Sequence, residues 1–256
     1  MSRNSFITVK NFSKTFNNKK KVLSKINFEL FKGESLVVIG CSGSGKSVLL
    51  KCITGLILPD DGSTLLVEKQ DLTFLHISKR QSFLKKFGML FQNNALFDSM
   101  PIWQNISFGL LNMGDLDNVE AIKYAEEKLN MVGLKKEVAM LYPSELSGGM
   151  QKRAAIARGI AMNPEIIFFD EPTSGLDPVL SAVIGDVIFN LQKELFATTI
   201  IITHDISVMK KLADKVVMIH EGKLVWFGTL KETLNTDNPY IQQFMNTSIN
   251  GPIHTT

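Results

Sequence analysis

The segment Gly40-Cys41-Ser42-Gly43-Ser44-Gly45-Lys46-Ser47 constrains this chain more than any other. It follows a short, wholly apolar run, Leu36-Val37-Val38-Ile39, and opens a stretch of helical spacing from Lys46 to Thr54. An apolar run of that length reads as a parallel strand covered on both faces. Strand, glycine loop and helix in that order form an anion cradle: glycines let successive N–H groups face inward, and the helix N-terminus adds partial positive charge. The pattern G-x-x-x-x-G-K-[ST] then places an ammonium, Lys46, at the outer phosphates and a hydroxyl, Ser47, at a magnesium ion. A chance glycine turn is the bland alternative, and the flanking strand and helix speak against it.

The remaining periodicities place this loop in an α/β fold. Phe6-Ile7-Thr8-Val9 and then Ile26, Phe28 and Leu30 read as two strands, with Asn17, Asn18 and a lysine cluster turning between them and Gly33-Glu34 as a second turn. Strand signals return at Ile166–Phe169, Thr199–Ile202 and Val216–Ile219. Between the first two, Leu180, Val183, Ile184, Val187, Ile188 and Leu191 draw one face of a long helix. Strand, helix and strand in alternation predict a parallel sheet with crossovers. From about Asn93 to Ala161 the spacing is helical instead, with Val119, Ile122, Leu129 and Val132 on one face and a second helix from Met150. The expectation is a core over 1–92 and 162–235, a helical insertion over 93–161, and a C-terminal helix and tail over 236–256. The polar tail from Asn246, with Gly251-Pro252, is expected to be mobile or to dock on a partner.

Composition narrows the class. Lys and Arg total 28 against 25 Asp and Glu, and arginine occurs only at Arg3, Arg80, Arg153 and Arg158. So balanced a charge argues against nucleic acid as a partner. No apolar run reaches the roughly 18 residues of a membrane helix, and the first ten residues lack the apolar centre of a secretory signal. Cys41 and Cys52 alone make no disulfide framework, so a reducing, cytoplasmic setting is expected.

Two further segments carry chemistry. Asp170-Glu171-Pro172 ends a strand, where the carboxylates face the crevice in which such sheets bind ligands. Asp170 suits a magnesium shell and Glu171 a general base for water, or the pair is only a strand-ending turn. Ser147-Gly148-Gly149 opens a helix and forms a second anion site, or an ordinary serine cap.

Taken in order, Gly40–Ser47, Gln92, Leu146-Ser147-Gly148-Gly149, Ile166–Glu171, Ser174-Gly175-Leu176-Asp177 and His204 resemble an ATP-binding-cassette (ABC) transporter ATPase, from about Phe6 to Gly228. The resemblance implies a P-loop core with a parallel sheet, N-terminal antiparallel strands, a helical subdomain, and ATP with Mg²⁺ as cofactors. It implies that Phe16 stacks on adenine and that Gly40, Cys41, Ser42, Gly43, Ser44, Gly45, Lys46, Ser47 and Val48 surround the phosphates. Ser47, Gln92 and Asp170 would hold Mg²⁺, while Glu171, His204, Gln92 and Lys46 would act on the γ-phosphate and its water. Ser147, Gly148 and Gly149 would complete the site of a second copy and Asp177 would lie at the subunit interface, giving a homodimer that sandwiches two ATP. Met150 stands where the signature usually has Gln, and it offers no side-chain hydrogen bond of that kind.

The stretch Met89–Ile106, the segment Pro143–Arg153 and the tail Gln243–Pro252 are similar to ATPases that serve Mla-type phospholipid transporters working with MCE lipid-binding proteins. Integral-membrane permease subunits, and an MCE-type protein, are therefore the expected partners, with the chain peripheral on the cytoplasmic face of the inner membrane. Leu96, Phe97, Met100 and Trp103 are expected to form an apolar patch for a permease helix, or else a buried helical core. An osmolyte or peptide importer, a soluble ABC ATPase and a P-loop kinase are the competing classes. The kinase would leave Ser147-Gly148-Gly149 unexplained.

Overall fold

The computed structural model describes residues 5–17, 20–75, 83–92 and 94–253. Asn18, Asn93 and the end of the tail from His254 lie outside the described residues. The chain divides into two compact units, Met1–Leu84 with Ile200–Thr256, and Lys85–Thr199.

The first unit opens with β1 (Ile7–Thr15) and β2 (Lys21–Leu30), an antiparallel pair longer at both strands than their apolar runs alone indicate. Alternation on β2 buries Leu23, Ile26, Phe28 and Leu30 and leaves its lysines outside. β3 (Ser35–Ile39) is buried at every residue, as a strand covered on both faces must be. The loop Gly40–Gly45 leads into α1 (Lys46–Ile53), and β4 (Thr64–Val67) and β5 (Gln70–Asp71) extend the antiparallel sheet in the order β2-β1-β4-β5. β4 and β5 carried no periodic signal because they are too short for one.

In the second unit β6 (Phe87–Leu90) precedes α2 (Ile102–Met113), α3 (Asn118–Met131) and α4 (Gly148–Gly159). β7 (Ile166–Asp170) pairs parallel to β6, and α5 (Pro178–Leu195) follows. Two helical faces differ from expectation. On α3 the inward stripe is Ala121, Ala125, Lys128 and Leu129, while Val119 is exposed at the helix start beside its Asp117 cap. Lys128 buries its stem and donates to Asn163 Oδ1 at 2.6 Å, so a charged residue holds an inward position. On α5 the buried face is Ser181, Ile184, Gly185, Ile188 and Leu191, whereas Leu180 and Val183 face outward. Leu180 instead covers Gly149, where an added Cβ would sit 3.3 Å from its Cδ2.

The chain returns along β8 (Thr198–Ile202), α6 (Ile206–Leu212), β9 (Lys215–His220) and β10 (Lys223–Thr229). In the first unit the sheet runs β10-β9-β3-β8, with β9 parallel to β3 and β10 antiparallel to β9. The architecture is thus α/β, with parallel strands at the centre and an antiparallel N-terminal sheet. After α7 (Leu230–Leu234) and α8 (Pro239–Met245) the tail folds back. Gln243, buried, accepts from Ile253 N at 2.7 Å and donates to Ile253 O at 2.9 Å and Ser248 O at 3.2 Å. The described part of the tail is therefore strapped by one amide side chain, a contact no periodicity shows.

Candidate active site

In the first unit β3 ends and the loop begins at Gly40, whose backbone is left-handed at φ +144°. A Cβ there would lie 2.2 Å from the Ile219 carbonyl oxygen, so glycine is required for the loop to pass β9. Gly43, also at positive φ, meets nothing within 4 Å, so the rim of the loop is open. Ser44 N donates to Cys41 O at 3.2 Å, and Ser44 O accepts from Gly222 N at 3.0 Å. Gly222 lies in the β9–β10 turn, and its carbonyl accepts in turn from Ser24 N at 2.8 Å. A hairpin far along the chain thereby braces the loop.

Lys46 is buried and donates to Gly40 O at 2.7 Å and Cys41 O at 2.8 Å, spanning the loop it closes. The N-cap of α1 is Gly45, and no side chain caps this helix. Ser44 Oγ is buried and has no hydrogen-bond partner. A buried hydroxyl of this kind costs about 1–3 kcal/mol, which an anionic oxygen seated in the loop would relieve. Uncapped helix terminus, orphaned hydroxyl, ammonium and open glycine rim together fit a polyphosphate. Ser47 and Val48 follow on the first turn of α1, half-buried. Phe16, just past β1, is 38% exposed, while Phe12 is fully buried in the core. Of the two phenylalanines, only Phe16 has a ring face open for stacking; Lys14 Nζ lies 5.4 Å from its centroid.

His204 belongs to the same unit. Thr203 N donates to Val38 O at 3.2 Å, so the end of β8 lies beside the end of β3, from which the loop departs. His204 is exposed there and is followed by Asp205, which caps α6 through Ser207 N and Val208 N.

The second unit gathers the other predicted residues. The β6–β7 register pairs Leu90 with Phe169, so Gln92 and Glu171 each lie two residues beyond that pair. Asp170 ends β7 with 7% exposure, and Glu171 follows in a left-handed conformation at φ +50°. That conformation costs a non-glycine residue roughly 1–2 kcal/mol, and the turn is closed by Ser174 N donating to Glu171 O at 3.1 Å. Ser147 caps α4, accepting from Met150 N at 3.4 Å, and Gly148 meets nothing within 4 Å. Asp177 caps α5, accepting from Val179 N and Leu180 N at 2.9 Å, so its carboxylate has a local structural task. Among the described residues no group of three or more His, Cys, Asp or Glu side chains could hold a metal ion. A Mg²⁺ ion that keeps waters and phosphate oxygens needs only one or two protein ligands, so a cluster of three is not required of it.

The sequence pattern of the ABC transporter family (ABC_tran) matches residues 23–174. The chain belongs to the ABC transporter family. Among its relatives, the probable ribonucleotide transport ATP-binding protein mkl of Mycobacterium leprae is 36% identical over 96% of this chain and 70% of its own length. The protein TRIGALACTOSYLDIACYLGLYCEROL 3, chloroplastic, of Arabidopsis thaliana is 35% identical over 91% of this chain and 72% of its own. The methionine import ATP-binding protein MetN of Carboxydothermus hydrogenoformans is 37% identical over 95% and 72%. A solved dimeric ATP-binding cassette in a post-hydrolysis state, bound to ADP and Pi, superposes with a TM-score of 0.80 at 30% identity, over 88% of this chain and 98% of that one.

The cassette accordingly binds and hydrolyses ATP as an ABC transporter ATPase, a class whose members pair with one another and with membrane permease subunits. Among the described residues no helix is long and apolar enough to cross a membrane.

Lys152 escaped the sequence reading. It is 3% exposed, and its Nζ donates to Gln92 O at 2.8 Å. A signal existed: Lys152, Ala155, Ile156 and Gly159 recur at helical spacing on one face, and the neighbours on that face are apolar or small.

The two cysteines differ as their settings require. Cys52 is buried in α1, and burial pushes its thiol up to about 11; Cys41 is half-exposed within the loop. A thiol reagent should therefore label Cys41, inactivate the cassette and spare Cys52 in the folded chain. ATP at about ten times its Kd should slow that labelling roughly tenfold, because only the empty fraction reacts. Peptide mass spectrometry of the time course decides it, and equal rates with and without ATP would contradict phosphate binding over Cys41.

Proposed function

We propose that this cassette powers phospholipid transport in the cell envelope, as the ATPase of an Mla/MCE-type system on the cytoplasmic face of the inner membrane. The carrying observation is the segment Met89–Ile106, which resembles that group in sequence and stands as a built surface. Asn105, fully buried, accepts from Phe97 N at 2.7 Å and donates to Phe97 O, Met100 O and Pro101 O. Arg158 lies over the Phe97 ring at 4.4 Å, and Phe97 packs on Phe108 at 4.9 Å. Phe91 and Phe97 keep exposed faces, while Leu96, Met100 and Trp103 are half-buried. A rim with apolar faces suits a short helix of a permease. A relative whose name carries a galactolipid supports the same reading.

Within this reading two copies sandwich two ATP. Phe16 stacks on adenine, and residues 40–48 hold the phosphates with Lys46 as the charge. Ser47, Gln92 and Asp170 would hold Mg²⁺, which when bound neutralises charge developing on the phosphates. Glu171 orients and deprotonates the attacking water, His204 contacts the γ-phosphate, Ser147, Gly148 and Gly149 serve the partner's nucleotide, and Asp177 lies at the interface between the copies. A second reading, a small-solute importer, is favoured by the relative named for methionine import.

Co-purification separates the two. A tagged chain, gently solubilised from its native membranes, is expected to bring a permease, an MCE-type protein and phospholipid, identified by mass spectrometry. A permease with a solute-binding protein instead would replace the lipid reading with the importer.

A further inference from the structure

We infer that Lys152 is a positioning residue for ATP hydrolysis, tying the signature helix to the Gln92 main chain opposite Glu171 within one chain. The inference rests on the roles proposed above for Glu171 and Gln92. Lys152 is almost wholly buried, five residues beyond the Ser147 cap of α4. Its ammonium donates to the Gln92 carbonyl, two residues past the end of β6. Glu171, at the matching place beyond β7, faces it electrostatically: burial pulls the Lys152 pKa down and the Glu171 charge pulls it back up.

The support around this contact is stiff. α4 lies so close to β6 that a Cβ on Gly88 would come within 2.3 Å of the Gly159 carbonyl oxygen. Arg158, six residues on, donates to the Ala95 carbonyl and lies over Phe97. Two cations of one helix thus hold two carbonyls of the segment that carries Gln92. Burying an ammonium costs several kcal/mol, and an apolar side chain of that length would fill the same space without that cost. What a charge adds is a fixed field at Glu171 and a directed bond at Gln92. A shift of α4, when its N-terminus engages the partner's nucleotide, is then transmitted to the residues that orient water.

The test compares Lys152→Met, Lys152→Gln and Lys152→Arg with Glu171→Gln in the full chain. Lys152→Met should lower kcat by roughly ten- to a hundredfold, the scale of losing ångström-level placement, with the ATP KM unchanged within about twofold. Its thermal midpoint should hold or rise, since an apolar isostere replaces a buried charge. Lys152→Arg should recover most of the loss. Lys152→Gln, which keeps a donor but no charge, should fall between them. A wild-type kcat in Lys152→Met overturns the inference. So does a loss that comes with a lowered midpoint and raised KM and that Arg does not relieve, because that pattern marks packing alone. Undiminished turnover in Glu171→Gln would instead overturn the reading of the site beneath it.

Discussion

Glu171→Gln is expected to stop turnover and leave ATP binding intact, so that ATP drives the purified chain to twice its monomeric mass. The carboxylate follows a buried strand end and stands on a turn closed by Ser174 N, with Pro172 and Thr173 buried beneath it. Gln keeps the size and shape of the side chain, so the turn persists. What is lost is the capacity to take a proton from water, worth about 10²- to 10⁴-fold in rate. With hydrolysis removed, ATP accumulates at the paired sites and the sandwich no longer reopens. Phosphate release and size-exclusion light scattering with ATP read both halves of the expectation. Steady turnover would remove Glu171 from the chemistry, and a monomer with ATP bound would refute the sandwich.

Lys46→Ala is expected to weaken ATP binding by roughly 2–3 kcal/mol, about thirty- to two-hundredfold in Kd. A charge-assisted bond to phosphate is removed, and the backbone dipoles of the loop and the α1 terminus are left to hold the anion alone. The bonds from Lys46 to Gly40 O and Cys41 O are lost as well, so the loop itself is less well ordered before ATP arrives. Calorimetric titration of the variant, beside a circular-dichroism melt that verifies its fold, measures the effect. An unchanged Kd in a folded variant would refute the role.

The loop was legible because its determinants are local. Three glycines, three serines and a lysine in a row of eight, between an apolar run and a helical one, dictate a conformation within a few residues. Buried strands were legible for a similar reason: Leu36–Ile39, Ile166–Phe169 and Ile200–Ile202 are continuous apolar runs, and each falls within a buried strand. Helix faces were less so. On α3 the inward positions are alanines and a lysine, which a hydrophobicity pattern passes over, and the valine it favours lies at the exposed start of the helix.

By itself, then, the sequence determined the phosphate loop, the α/β class and the order of the motifs, since each depends on residue types a few positions apart. Tertiary structure decided what supports them. Gly222 bracing Ser44, Gln243 strapping Ile253 and Lys152 reaching Gln92 are contacts across distances that no local rule constrains. They arise where separate elements pack face to face: an unpaired carbonyl or amide accepts whatever partner the packing brings to it, and only the assembled fold fixes which one that is.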